Sequence, residues 1–339
     1  MANITTSWVQ QRPSFVEPGI ILQYNQLSYA MRALATGEPL VKIGSEDLGV
    51  YIKRLDIRTV MSAGQQPYQN IPSVAVVADM ASTPTYLLRC RAEWDHHDAA
   101  ALGMFDAPVT ETFRLGMRQA HFQVFRSAIL YGMNPANGEG LLNASGATTT
   151  NLPPDSNGND TVQNYDNGQM AFFLLSQIQA LKTATNQLGI PRRFVVLGPQ
   201  RVLGAFEYQN IVQLVQYMRE GAGSTSTAGV VKDVAAMNGD TIEWGYDDTL
   251  IAQGAGGADA VLLVMPEVEN PNQAAFSTNE FAKLTPSIAA TTLAYCDMAA
   301  PMEITTPIPG GAVDVLSEMR ITSGWGIRPE AINVISMTY

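Results

Sequence analysis

PVTETFRLGMRQAHFQVFRSAILYGMNPANGEGLLN, residues 108–143, carries the decisive reading. Across 109–131 there is no proline and a single glycine, Gly116. Val109, Phe113, Met117, Ala120, Val124 and Ala128 recur at three- and four-residue spacing, which predicts one apolar stripe along a helix. Pro108 suits its first turn and Gly132 its stop. About 23 residues rising 1.5 Å each predict a rod of roughly 35 Å. Arg114 and Arg118 share another face of that rod. Directly after it comes a turn-rich word, Asn137-Gly138-Glu139-Gly140-Leu141-Leu142-Asn143.

Upstream lie two alternating stretches. In 50–61, Leu55, Ile57 and Thr59 alternate with Arg54, Asp56 and Arg58. In 83–94, Tyr86, Leu88, Cys90, Ala92 and Trp94 alternate with Arg89, Arg91 and Glu93. Period two predicts half-buried strands. A Gly64-Gln65-Gln66-Pro67 turn and an apolar stretch at 74–78 lie between them, so 46–95 reads as a long hairpin-like excursion. On a lone molecule its edges would invite aggregation. Between copies they become a clasp.

Residues 1–45 read as an arm, broken by Pro13, Pro18 and Pro39 and anchored by scattered apolar residues such as Trp8, Phe15 and Ile20. One short helix is expected within it, with Tyr24, Leu27, Met31 and Leu34 on a face. Ordering such an arm costs on the order of 1–2 kcal/mol per residue in backbone entropy. So polar a stretch recovers little of that on its own subunit, and a neighbouring subunit is expected to cover it.

Downstream, 134–165 is a Gly/Asn/Thr/Pro-rich connector. Asp166 then caps a helix carrying Met170, Phe173, Leu174, Ile178, Leu181 and Leu188, stopped by Gly189 and Pro191. Residues 194–197 and 261–264 are expected as buried strands, and Ile211, Leu214, Val215 and Met218 mark a further helix. Residues 221–229 read as a loop. Strands return with Val313, Val315, Met319 and Ile321, and 332–335 closes the chain. The class is α+β.

Composition narrows the function. Charged residues are 15% of the 339, against roughly 25% in an ordinary soluble domain. Neutral polar residues replace them, and such a surface is cheap to desolvate against copies of itself. The net charge is −11 and the 20 basic residues form no run, so a DNA-reading role is excluded. An acidic lining is still compatible with enclosing DNA. The start of the chain offers neither a basic region nor an apolar stretch, so no signal peptide is expected and synthesis is assigned to the cytoplasm. No run reaches the ~18 apolar residues of a membrane span.

Catalytic signals are weak. Asp95-His96-His97-Asp98 suggests metal or acid–base work, but adjacent histidines on a strand face opposite sides and only His121 remains elsewhere. A solvated turn is the better reading, and His121, beside Phe122 and Phe125, reads as packed or interfacial. Gly254-Ala255-Gly256-Gly257-Ala258 precedes a strand and lacks a following Lys-Ser/Thr, against a phosphate loop. Asn137-Gly138 and Gly310-Gly311 read as turns. Cys90 and Cys296 form no zinc or disulfide pattern, and Cys90 is expected buried. No catalytic residue, metal or cofactor is assigned.

The order of parts, with the Gly140-Leu141-Leu142-Asn143 word after the long helix and the stretch Arg320-Ile321-Thr322-Ser323-Gly324-Trp325-Gly326-Ile327-Arg328-Pro329-Glu330-Ala331, resembles the major capsid proteins of tailed bacteriophages. The resemblance covers nearly the whole chain. It implies a Hong Kong 97-type capsid fold: an N-terminal arm (1–45), an E loop (46–95), a P domain (96–144 and 291–339, with its spine helix at about 109–131) and an A domain (145–290). It also implies a structural protein and not an enzyme: pentamers and hexamers of itself in the icosahedral head shell of a virion, assembled in the host cytoplasm, enclosing DNA without sequence-specific binding or a membrane.

Two departures from the family pattern matter. The short region before the hairpin implies a separate scaffolding protein or none, and 54–94 contains no lysine for a Lys–Asn weld. Noncovalent contacts or a cement protein, with a portal, complete the expected partners. Trp8, Phe15, Arg89, Arg91, Glu93, Arg114 and Arg118 are the expected intersubunit contacts. Gly37, Pro39, Gly64, Pro67, Gly132 and Pro135 are the expected hinges. The rivals are an encapsulin shell of the same fold and an α/β-type soluble enzyme.

Overall fold

In the computed structural model of the protein, the residues described are 29–33, 40–58, 75–103, 108–208, 226–268 and 291–339. In chain order they form β1 (Gly49–Arg58), β2 (Ala75–Trp94), α1 (His96–Gly103), α2 (Val109–Leu130), β3 (Thr148–Asn151) and α3 (Asn167–Ala184). There follow β4 (Arg193–Gly198), α4 (Gln200–Tyr208), α5 (Thr227–Met237), β5 (Thr241–Tyr246), β6 (Asp259–Val264), β7 (Leu293–Ala294), β8 (Met302–Ile308), β9 (Ala312–Thr322), β10 (Trp325–Gly326) and β11 (Ile332–Met337).

The strands build two main sheets. An antiparallel sheet has the order β1-β2-β9-β8, and a mixed sheet the order β3-β11-β6-β4-β5. In its three central strands, β11, β6 and β4, both faces are buried, which explains their continuous apolar runs. Phe194, Val196, Val261, Leu263, Ile335 and Met337 pack beneath α3, α4 and α5. Val195, Leu197, Ala260, Leu262, Val264, Ile332 and Val334 pack on the opposite side against Phe125, Ile129 and Leu130 of α2, with Leu141, Tyr295 and Ile321. The end of the long helix is thus one wall of the main core.

The other half of α2 lies on the antiparallel sheet. Phe113 stacks on Trp94 with ring centroids 5.1 Å apart, and Met117 joins Ala92 and Val315. The helix spans 109–130, one residue short of the expected rod, but its buried face is shifted. His121 and Phe125 are buried, while Ala120 and Val124 are only half-buried. The reason is His121, whose Nε2 meets Ser317 Oγ at 3.2 Å and so fits among apolar neighbours. The stripe runs Phe113, Met117, His121, Phe125, Ala128.

Several expectations change. β2 is one strand of 20 residues, so the 74–78 stretch continues from Ala75 into the 83–94 strand instead of standing apart. α3 ends at Ala184, four residues before Leu188, because Asn186 adopts a left-handed φ of 56° and Gln187 N closes onto Lys182 O at 2.8 Å. Leu188 is exposed. The expected loop at 221–229 is cut short: Ser226 caps α5 by accepting from Gly229 N, and Thr227 and Ala228 are buried in its first turn. α4, α5 and β5 had no counterpart in the sequence reading. Residues 24–28 and the expected helix around 211–218 lie outside the described residues.

The expected boundary at 291 is crossed by hydrogen bonds. β11 lies inside the mixed sheet, antiparallel to β6 and parallel to β3. Cys90 is half-buried and Cys296 buried, both free.

Candidate assembly surfaces

The last carbonyls of a helix need partners from elsewhere. At the end of α2, Ala128 O accepts from Gly132 N at 3.2 Å and from Gly324 N at 3.0 Å. Ile129 O accepts from Leu141 N at 2.9 Å and Leu130 O from Leu142 N at 3.0 Å. Tyr131 O accepts from Asn143 Nδ2 at 2.8 Å. The word at 137–143 is therefore the cap of the long helix, which is why it follows that helix in the sequence. The backbone approach is close enough that a Cβ on Gly140, at φ +81°, would lie 2.4 Å from Gly132 N.

This corner is closely packed. Gly132 sits at φ +76° against Glu139, and Pro135 opens a short turn in which Gly138 N bonds Pro135 O. Gly132 and Pro135, two of the expected hinges, thus sit within this hydrogen-bonded corner. Gly37, Pro39, Gly64 and Pro67 lie outside the described residues, as do Trp8 and Phe15.

Glu139 is the centre of the corner and only 3% exposed. Its carboxylate accepts from Tyr86 OH at 2.8 Å, Asn134 N at 2.9 Å and Asn137 Nδ2 at 3.4 Å. Burial alone would raise its pKa, but hydrogen bonds from Ser323, Asn134 N, Tyr86 and Asn137 outweigh that and hold it below the ordinary range. Burial, then the bond to Glu139, pushes Tyr86 up to about 12. The sequence reading passed over this node. Its only signal was a lone acidic residue in a glycine-rich word.

Tyr86 stands just inside the point where β2 changes partners. Gly49 to Arg58 of β1 pair with β2 from Pro84 back to Ala75. From Thr85 to Trp94, β2 pairs with β9. β1 and the first half of β2 thus form a two-stranded ribbon, with Tyr51, Val77 and Met80 at 70%, 53% and 62% exposure. A 20-residue strand spans roughly 65 Å, longer than strands usually run. At the far edge of the same sheet, β8 is exposed along nearly its whole length, with Met302 and Ile304 uncovered. These edges and side chains are the surface another chain would cover.

The proposed charged contacts mostly find partners at home. Arg89 pairs with Glu318 at 2.7 Å across β2 and β9. Arg91 pairs with Asp314 at 2.8 Å and Glu93 at 3.2 Å. Arg114 meets Glu303 of β8 at 3.0 Å and Glu111 at 3.2 Å. Arg118 is exposed, and no ion pair to it is present among the described residues. The same holds for part of the arm: Ala30 and Ala33 are fully buried in the chain's own core. Leu40 N bonds Tyr295 O and Lys42 pairs with Asp297 at 2.8 Å.

The Asp95–Asp98 cluster, expected as a solvated turn, is the start of α1, with His96 and His97 exposed. Asp95 Oδ1 accepts from His97 N and Asp98 N, while Asp98 Oδ2 accepts from Asp95 N, a reciprocal cap on α1. Gly254–Ala258 is a turn into β6, with Ala255 N on Ser336 Oγ. Among the described residues no three His, Cys, Asp or Glu side chains come together as a metal site. Nor is any helix among them long and apolar enough to cross a membrane.

No protein-family model matches the chain, and no curated protein matches it by sequence. Solved structures do. The capsid of Myoviridae phage XM1 is similar over 96% of this chain and 96% of its own, at 10% identity and a TM-score of 0.66. The chain has the fold of a tailed-phage capsid protein. The capsid fold recurs in the capsid of an empty GTA particle, covering 99% of this chain and 98% of that one at 9% identity and a TM-score of 0.58. It recurs again in the capsid of cyanophage P-SCSP1u, at 95% and 92% coverage, 11% identity and a TM-score of 0.56. In each case the two chains are matched nearly end to end.

Proposed function

We propose that this chain is the major capsid protein of a tailed bacteriophage, a structural subunit that self-assembles into the icosahedral head shell around the DNA genome. One observation carries the reading: end-to-end likeness to assembled capsids in a chain whose 20-residue strand β2 bears an uncovered two-stranded ribbon. In Hong Kong 97 terms, 1–45 is the arm, 46–95 the E loop, and 96–144 with 291–339 the P domain around its spine helix. Residues 145–290 are the A domain, to which β11 adds a strand.

Pentamers and hexamers form as A domains gather around symmetry axes, while arm and ribbon overlap neighbouring subunits. Arg118 is the charged contact kept for a neighbour. Scaffolding, cement and portal proteins are the expected companions, the virion is the final location, and the role is structural and not enzymatic. The phage and GTA capsids among its structural likenesses favour this reading over an encapsulin or a soluble enzyme.

Negative-stain microscopy and sucrose-gradient sedimentation of the expressed chain test the proposal. Closed shells or capsomers support it. A compact lone molecule that stays monomeric in the presence of a scaffolding partner overturns it.

A further inference from the structure

One stripe on α2 remains uncovered by the rest of the chain. Glu111, Leu115, Arg118 and Phe122 recur at three- and four-residue spacing, so they share a face beside the buried one. Leu115 is 45% exposed and Phe122 half-buried. Glu111 touches Arg114 at 3.2 Å with its side chain 67% exposed, while Arg114 has a second partner in Glu303. Arg118 is exposed, with no ion pair among the described residues. An apolar side chain thus stands uncovered between an acid and a base that can each take a further partner.

The spacing selects that partner. Glu111 and Arg118 are two helical turns apart, roughly 10 Å along the axis. A second α2 laid antiparallel about a two-fold axis near Leu115 sets Glu111 of each copy against Arg118 of the other, with the two Leu115 side chains between them. A parallel neighbour in register would oppose like charges. The stripe is therefore complementary to itself in one orientation only.

We propose that this face of α2 docks a second copy of the chain, helix against antiparallel helix, through Glu111, Leu115 and Arg118. The inference rests on the self-assembly reading and adds which face of one subunit meets which face of the next. It places a closed, two-fold contact on the long helix, apart from the overlap of arm and ribbon.

Leu115→Cys in a Cys90→Ala, Cys296→Ala background leaves one cysteine per chain, so any disulfide joins equivalent residues of two copies. Gradient fractions are oxidised mildly and run on non-reducing gels. Packed helices bring the two 115 positions within disulfide reach, and covalent dimers should dominate. Gln123→Cys, exposed on the same helix, would lie about 25 Å along the axis from its counterpart and should stay unlinked. Arg118→Glu opposes two like-charged pairs per contact and should reduce particle yield on the order of tenfold, as should Glu111→Arg. The double exchange, Glu111→Arg with Arg118→Glu, should recover most of the parent's yield. Particles that form without the 115 disulfide, equal linking at 123, or a double exchange no better than Arg118→Glu overturn the proposal and leave the shell reading standing. A dimer linked at 115 that grows no further upholds it and counts against the shell. A monomer with no link counts against both.

Discussion

Arg126, on the last turns of α2, donates Nε to Asp247 Oδ2 at 3.2 Å and Nη2 to Oδ1 of the same carboxylate, a two-pronged pair joining the long helix to the turn after β5. Asp247 is almost fully buried and also receives Thr249 Oγ1 at 2.7 Å, while Arg126 keeps about a third of its side chain in solvent. Burial raises the Asp247 pKa, but the bonds from Arg126 and Thr249 outweigh it and hold the carboxyl below its ordinary range.

That asymmetry sets the first prediction. Arg126→Ala strands a buried carboxylate and should cost roughly 3 kcal/mol. Asp247→Asn leaves the guanidinium free to turn to water and should cost less. Thermal melts of the two variants settle the order, and equal losses would contradict it.

Acid should act in two stages. Burial lowers the pKa of His121 in the fold, so the unfolded chain takes up the proton first. That contribution is complete above roughly pH 6.5 and erodes as the pH falls below it. Glu139, Asp247 and Asp259 also have lowered pKa values. Their contribution is present above roughly pH 4 and is lost as the pH falls through their folded values. In a plot of Tm against pH, His121→Asn should flatten the upper limb and leave the lower one in place.

Glycines at the corner and at an open turn should respond differently to alanine. Gly140→Ala forces a Cβ to 2.4 Å from backbone, with no flexible side chain to yield, and should leave the chain insoluble or molten. Gly310, at φ +106° between β8 and β9, meets nothing within 4 Å. Gly310→Ala should cost only about 1 kcal/mol of backbone strain. Soluble yield and denaturant midpoints compare them.

Charge reversal separates home contacts from neighbourly ones. Arg89→Glu and Arg114→Glu break exposed pairs and should lower subunit stability by about 1 kcal/mol or less each. Arg118→Glu should leave the melt unchanged while reducing particle yield on a gradient. Full particle yield from Arg118→Glu would remove it from the interface.

Period-two and period-3.6 patterns located β2, α2, α3 and β9, because in each the buried face repeats along one local segment, and continuous apolar runs located β4, β6 and β11. His121 was read as packed or interfacial and is buried, but nothing local announces Ser317, 196 residues away, as its partner. The first residues of α5, 227–229, were read as the end of a loop since Ser, Thr and Gly favour turns, and the burial of Thr227 and Ala228 overrides that preference. Among the candidate contacts, the sequence offered exposed charges. It could not tell which of them the opposite strand neutralises.

What the order of residues settled alone is the set of elements with strong periodicity, the helix with its capping word, and the excess of neutral polar surface. These depend on near neighbours in the chain, where spacing translates directly into a face. Only the folded chain decided that β2 serves two partners, that β11 enters the far sheet, and that Glu139 joins strand, helix and corner. Those relations unite residues tens to hundreds of positions apart, and their energies come from burial and hydrogen bonding that exist once the chain has closed upon itself.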